Sequence, residues 1–396
     1  MNTLERIPVV FNYHDYGSDI MKLIFMAINE TVRHNRDPYH AAQSLETKSG
    51  LISSEPAKVQ PGAIVYFTFA GNRLVTVNTV GEVTKELTHP INGDGHYDYY
   101  RPVKPAVAED GFMCVLSDKS EPKKKRSIGL VDKTGHVVWA TKPLPLSHDF
   151  HMAGNKIYTI LREDAQFKPG NTVSNNVIVE LDKTGDIFWR WSVLEHLVEF
   201  EKSDQLQAIM AAKKTNNNPF HINSIQYVDS ESIIKQFDEP IIVVSSRNMN
   251  LIFFVGRKTG KVIYELGGMT KGQHNAHIIE SGLSGENHLL IFDNRNDHEK
   301  KVPDGNSRVI EVDIASKKIV WSYESKPGQP VFFTPIVGSA QRLPNGNTLI
   351  CQGYYGRIFE VDQSGNIVWD FTNPFVNIGS NFEEQGPREI FTAIKY

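Results

Sequence analysis

The sequence predicts an all-β protein, a six-bladed β-propeller with a short N-terminal helical extension and one helical insertion. Three observations carry that reading. A strand, polar turn, strand pattern recurs six times; the copies are spaced roughly 50 residues apart, the size of a propeller blade; and helix-forming composition is confined to two segments.

Residues 1–58 precede the repeat. Within them, residues 18–33 open with a Ser-Asp capping signal and place Ile20, Leu23, Ile24, Ala27 and Ile28 at helical spacing, which predicts one helix docked on the propeller. The propeller itself is expected over residues 59–396. Its repeat reads TVNTVGEVTKEL, LVDKTGHVVWAT, ELDKTGDIFWRW, VGRKTGKVIYEL, EVDIASKKIVWSY and EVDQSGNIVWDF, with the turn marked by Gly81, Gly135, Gly185, Gly260, Ser316 and Gly365. Asp or Asn followed by Gly supplies the positive φ that tight β-turns require, so each copy is a hairpin. Trp139, Trp189, Tyr264, Trp321 and Trp369 fall at equivalent places and are expected to pack blade against blade. The first unit holds only three strands, GAIVYFTF, RLVTVNT and EVTKELT, so REIFTAIKY at the C-terminus is expected to supply the fourth and close the ring. Residues 192–219 lengthen one repeat. They are read as a helical insertion presenting Leu197, Phe200, Leu206 and Met210, either as a lid over the mouth or as a cap on the outer edge of two blades.

Composition limits the partners. Forty-two Lys plus Arg against 46 Asp plus Glu leave a formal charge of −4, which gives no electrostatic reason to bind nucleic acid. Cys114 and Cys351 lie in apolar strand-like runs and are expected to be buried. No basic start, long apolar run and cleavage site follow one another at the N-terminus, and LIFMAI at residues 23–28 is too short to span a bilayer. The expectation is a cytoplasmic protein without a membrane segment, or a periplasmic one if a leader has been removed.

In a propeller the first residues of each inner strand gather at one mouth. The corresponding strings are HYDYYRP, SHDFHMAGN, FHINSIQY, QHNAHII and TPIVGS. Three successive blades contribute His148, His221 and His274, read as one register, with Asn223 two residues after His221 and Arg247 one hairpin later. Such a set joins a fixed guanidinium that can bind an oxyanion to imidazoles that serve as nucleophile, acid or base. No carboxylate pair accompanies them, which disfavours glycosidase chemistry. A metal ring of three histidines is disfavoured by the nearby arginine, so no metal is expected. Asp293 and Asn294 read as turn formers. At this level three uses stay open: a group-transfer site, a non-catalytic propeller that binds a ligand or protein at its mouth, and a metal-dependent lyase or hydrolase using the histidine ring.

The strings FHINS, SSRNMN, QHNAH, FDNRN, TPIVGSAQRLPNGNTLICQGYYGRIFEV and GNIVWDF, in this order over about residues 60–396, resemble the bacterial nucleotide-independent arylsulfotransferase (aryl-sulfate sulfotransferase) family. That resemblance implies a sulfotransferase that moves a sulfuryl group from a small-molecule aryl sulfate to a phenol by a ping-pong mechanism through a sulfohistidine, with no cofactor. Carried over by motif, His274 would be the nucleophile, and His148, His221, Asn223 and Arg247 would hold the sulfuryl group or move protons. Thr334 of TPIVGS would line the same pocket. The family often shows His-His-Asp where this chain has Ser147-His148-Asp149. No oligomeric state follows from the sequence.

Overall fold

The computed structural model describes residues 49–396 apart from 71, 89–90, 93–94, 100–105, 109, 119–124, 201–205, 207–217, 230–236, 297–305 and 377–387. The helix expected over residues 18–33 lies outside the described residues. Within them, six antiparallel sheets form the six blades of a β-propeller. Blade 3 runs outward from Leu146–Ala153 through Lys156–Lys168 and Asn171–Leu181 to Ile187–Ser192. Blade 4 repeats the plan with Ile222–Val228, Ile241–Ser246, Leu251–Gly256 and Val262–Gly267. Blade 5 uses His274–Ile278, His288–Asp293, Arg308–Asp313 and Lys318–Tyr323, and blade 6 uses Ser339–Arg342, Thr348–Gln352, Arg357–Val361 and Ile367–Thr372. In blade 2 the inner edge of Gly111–Asp118 is shared by Gly95–Tyr99 and Ala106–Ala108, with Ser127–Asp132 and Val137–Ala140 outside.

Blade 1 contains Ile64–Thr68, Arg73–Val77 and Val83–Leu87, and its inner strand is the C-terminal Ile390–Lys395. The ring thus closes as the strand count required. One further strand was not anticipated: Gly50–Ser54, inside the stretch read as the N-terminal extension, pairs with Ile367–Thr372 on the outside of blade 6. Covering that edge removes a row of unpaired backbone groups. It also buries Val368, 1% exposed, whereas Val138 and Val320 at the matching positions of blades 2 and 5 are 56% and 51% exposed.

Local chemistry explains the repeat. Asn78, Asp132 and Asp182 each accept N–H groups two and four residues onward through one side-chain oxygen. This side-chain bond stands in for a backbone turn and leaves the following glycine in the left-handed region, as at Gly135 with φ of 98° and Gly185 with φ of 91°. In blade 5, which has Ser316 at the marker, the positive φ passes to Lys317 instead.

The aromatic residues occupy one register. Trp189, Trp321 and Trp369 stand opposite Glu180, Glu311 and Glu360 on the neighbouring strand. Each of these carboxylates reaches a cation of the next blade: Glu180 pairs with Arg257 at 2.7 Å, Glu311 with Arg342 at 2.5 Å and Glu360 with Lys395 at 2.7 Å. The same three cations lie over the Trp189, Trp321 and Trp369 rings at 4.6, 5.1 and 6.0 Å. A carboxylate, a cation and an indole therefore clasp successive blades at three seams. The indole N–H groups of Trp321 and Trp369 add bonds to the Gln363 and Thr79 carbonyls of the following blade, while in blade 3 that task falls to Trp191, bonded to Gly260.

The insertion forms a 3-10 helix at Val193–Glu199. Phe200 and Leu206, each 2% exposed, pack with Trp191 and Phe253 in the core between blades 3 and 4. Leu197 lies partly buried against the same cluster. The described part of the insertion is thus an outer-edge cap, and the lid expectation is corrected for these residues. Met210 lies outside the described residues. Cys114 and Cys351 are free and buried. Among the described residues no helix is long and apolar enough to cross a membrane.

The Glu360–Lys395 pair seals the closing seam, with 0% and 1% side-chain exposure. Removing one partner leaves a buried charge, so Lys395→Ala is expected to lower unfolding free energy by about 3–5 kcal/mol, whereas Lys395→Met combined with Glu360→Met recovers most of the loss. Denaturant unfolding of the three proteins measures both; a double variant no better than Lys395→Ala would show that the ion pair itself holds the seam.

Candidate active site

Within its sheet an inner strand is hydrogen-bonded along one edge only, and the N–H groups on its other edge need partners. Side chains of the preceding blade supply them. Asp149 Oδ2 accepts from Ile225 N–H at 3.0 Å, Ser224 Oγ from Ala276 at 3.1 Å, Asn275 Oδ1 from Ala340 at 3.0 Å and Ser339 Oγ from Ala393 at 3.4 Å. These four acceptors define the true register between blades. The residues immediately before them are His148, Asn223, His274 and Gly338. Asn223, not His221, therefore matches His148 and His274, and the single-register reading of the three histidines is corrected.

His221 lies two residues earlier, just before its strand, with φ of 46°. Its carbonyl accepts the Arg247 N–H at 3.0 Å, as the Pro145 carbonyl accepts the Arg162 N–H at 2.8 Å in blade 3. Arg162 and Arg247 are thus counterparts on adjacent blades. Register shifts at the start of the inner strands of blades 3 and 4 re-aim these side chains, and His221 reaches His148, with ring centroids 4.6 Å apart. Burial holds the His221 imidazole well below its usual pKa, and the positive fields of His148, Arg247, His274 and Arg162 add to the effect. The His221 residue is partly exposed. It is neutral at neutral pH. Arg247 is 3% exposed, and burial pushes its guanidinium down to about 10, which leaves it charged.

His274 is 5% exposed, and its Nδ1 lies 2.7 Å from Asn294 Oδ1 and 3.1 Å from the Gly272 carbonyl. Asn294 Nδ2 donates to the Thr334 and Val337 carbonyls at 3.0 and 2.9 Å. Both carbonyls can only accept, so the amide has one orientation and its oxygen faces the ring. Nδ1 then meets two acceptors and carries a proton, so the neutral ring is the tautomer with its lone pair on Nε2. Thr334 is fully buried behind Asn294. Its hydroxyl donates to the Ile336 carbonyl at 2.7 Å and accepts from Tyr354 N–H at 3.2 Å. The structure thus uses Thr334 to support Asn294 rather than to face the mouth.

Asn223 is 3% exposed and donates from Nδ2 to the Gln273 carbonyl at 2.8 Å. Its Oδ1 is buried without a hydrogen-bond partner among the described residues. Gly272 has φ of 63°, and a Cβ there would lie 2.6 Å from the Asn296 carbonyl, so only glycine fits before His274. Carboxylates nearby are already engaged. Asp149 accepts backbone N–H groups of Phe150 and Ile225, and Asp293 accepts from Lys271 N–H and pairs with Arg308 at 2.9 Å. Among the described residues no group of His, Cys, Asp and Glu is arranged to hold a metal ion.

A family model for arylsulfotransferases (ASST) matches residues 128–374, more than half of the chain. The chain belongs to that family. Solved structures similar to this arylsulfotransferase-family protein include a protein of unknown function from Bacteroides caccae, 12% identical, covering 85% of this chain and 99% of the other with a TM-score of 0.48. They also include the WD40 β-propeller domain of Doa1, 9% identical over 83% of this chain and 88% of that one, TM-score 0.42. A streptogramin B lyase is 14% identical over 70% of each chain, TM-score 0.37. No curated protein sequence matches the chain.

In this member of the arylsulfotransferases, His148, Arg247 and His274 each act electrostatically on His221. Asn294 was read as a turn former, yet it sets the His274 tautomer. A signal existed: Asn294 directly follows the second strand of blade 5, His288–Asp293, as Arg247 directly follows the second strand of blade 4, Ile241–Ser246, which places both residues at the same end of their blades. The His221 environment makes a pH prediction. Because its folded pKa lies below the unfolded one, the unfolded chain binds the proton first and stability falls as pH drops below the usual histidine range. His221→Gln should therefore gain stability relative to the wild type as pH goes from about 7 to about 5. Unfolding curves at both pH values test this, and a difference that does not change with pH would contradict it.

Proposed function

We propose that the protein transfers a sulfuryl group from an aryl sulfate to a phenol by two successive displacements through His274. The observation that supports this reading most strongly is the fixed His274 ring, whose Nδ1 faces two acceptors so that the neutral ring carries its lone pair on Nε2, in a site shared with the charged and buried Arg247. In the first half, Nε2 attacks sulfur in line with the aryl oxygen. Arg247 and the remaining Asn223 N–H neutralise and orient the sulfuryl oxygens, which is where charge must be held as the S–O bond breaks. His148 or His221, protonated in the donor complex, gives its proton to the departing phenolate. In the second half, the same imidazole takes the proton of the acceptor phenol, whose oxygen attacks the sulfur and returns the lone pair to His274. Splitting one transfer in two through a covalent histidine replaces a difficult encounter of three bodies by two simpler steps.

The charge balance agrees with this use. A neutral His221 leaves room for an anionic donor without placing a second cation next to Arg247, while binding of that anion raises the proton affinity of both neighbouring imidazoles. Proton donation is thereby coupled to donor binding.

With para-nitrophenyl sulfate as donor and phenol as acceptor, initial-rate plots at several acceptor concentrations should give parallel lines. His274→Ala should abolish transfer, and Arg247→Met should lower kcat by about 100-fold or more. Intersecting lines, or steady transfer by His274→Ala, would reject the covalent route.

A further inference from the structure

The bond between Asn294 and His274 has an unusual chemical character. Fixed imidazoles that act at Nε2 are commonly backed at Nδ1 by a carboxylate, which both sets the tautomer and stabilises positive charge on the ring. Here the partner is an amide. Its orientation is enforced from behind, because the two Nδ2 protons go to the Thr334 and Val337 carbonyls at 3.0 and 2.9 Å. The scaffold maintains this arrangement at a cost in backbone conformation: Val337, a β-branched residue, holds φ of 56° and presents its carbonyl to the amide. The carboxylate next in sequence, Asp293, is turned away, accepting from Lys271 and Arg295 N–H and pairing with Arg308. Arg295 is likewise committed, to Glu324 through two hydrogen bonds. The nucleophile is therefore backed by a neutral dipole although a carboxylate lies one residue away.

We propose that Asn294 is a positioning residue whose neutral amide fixes His274 as the Nδ1–H tautomer and, by withholding negative charge, keeps the sulfated ring a good leaving group for the second transfer. The second clause rests on the sulfotransfer reading above. In the first half, the Nε2 lone pair forms the N–S bond and the aryl oxygen leaves with the S–O electron pair, taking its proton from His148 or His221. The ring now carries Nδ1–H and an N-sulfo group, a positive ring bearing a negative substituent. In the second half, the acceptor oxygen forms the new S–O bond, its proton passes to His148 or His221, and the N–S pair returns to Nε2. Departure is easy because the ring leaves as neutral imidazole. A carboxylate at position 294 would draw the Nδ1 proton away, give the sulfated ring imidazolate character and strengthen the N–S bond.

The tautomer can be read without any substrate. In ¹⁵N spectra of the full-length protein labelled at histidine, with His274 assigned by its loss in His274→Ala, the wild type should show a protonated Nδ1 and an unprotonated Nε2. Asn294→Leu should give a mixture of tautomers and a first-half rate lower by about 100-fold, with the second half slowed as well. In Asn294→Asp the carboxyl faces the Thr334 and Val337 carbonyls, so it keeps its proton at low pH and mimics the amide. As pH rises and it ionises, the sulfated intermediate, measured by rapid quench, should become at least about tenfold longer-lived than in the wild type. Circular dichroism of each variant confirms that it is folded, and the wild-type spectrum stands whether or not a variant folds. A wild-type His274 ring protonated at Nε2 overturns the inference regardless of activity. An Asn294→Asp intermediate that decays as in the wild type at every pH overturns its leaving-group part. Failure of the wild type to form a sulfated histidine rejects the sulfotransfer reading and the leaving-group part with it, while the tautomer is still decided by the spectrum.

Discussion

The free edge of each inner strand is the constraint on which the rest of this molecule depends. A propeller brings six such edges together, and each carries backbone N–H groups that cannot be left unsatisfied. Asp149, Ser224, Asn275 and Ser339 meet the need by reaching across to the next blade. Because the bond is short and directional, it locks the height of one blade relative to the next. His148, Asn223 and His274 each precede one of these residues, so the interlock that satisfies the backbone also sets these candidate site residues at one level. Structure and site are two consequences of the same hydrogen bonds.

A second constraint sets the charge of the site. Two arginines at matching positions and three imidazoles share a small volume, and simultaneous protonation would be costly. The response is division of labour. Arg247 stays charged despite burial, His221 is held neutral, and Asn294 decides which tautomer a neutral His274 ring takes. The carboxylates that could have neutralised the cluster are committed elsewhere, Asp149 to backbone N–H groups and Asp293 to Arg308. What results is a cluster with a net positive field, which favours an anion as its ligand.

Much of this was legible in the sequence. Turn chemistry at Asp132 and Asp182 and the recurring Trp after it are local signals, repeated often enough to give the blade count and the closing role of Ile390–Lys395. The register of the site was less legible, because a bulge changes which residue faces where without leaving a mark in composition: His221 and His274 both open a short His-x-x string, yet they hold different positions relative to the blade interlock. Asn294 was misread for a related reason. Asparagine is so common in turns that its type carries little information, and only the carbonyls of Thr334 and Val337, about 40 residues further on and brought close by the fold, reveal its orientation. Phe200 and Leu206 show another limit, since an apolar stripe tells that a surface is buried but not against what, which left lid and edge cap both open until the fold placed these two residues between blades 3 and 4.

The central claim is that His274 carries the transferred group. Mass-spectrometric peptide mapping of protein mixed with an aryl sulfate in the absence of a phenol acceptor, quenched at alkaline pH, tests it directly. The account predicts one sulfuryl group per chain, on the peptide containing His274 and on its imidazole. A sulfuryl group found on His148, on His221 or on a hydroxyl, or turnover with no covalent adduct on any histidine, would contradict it.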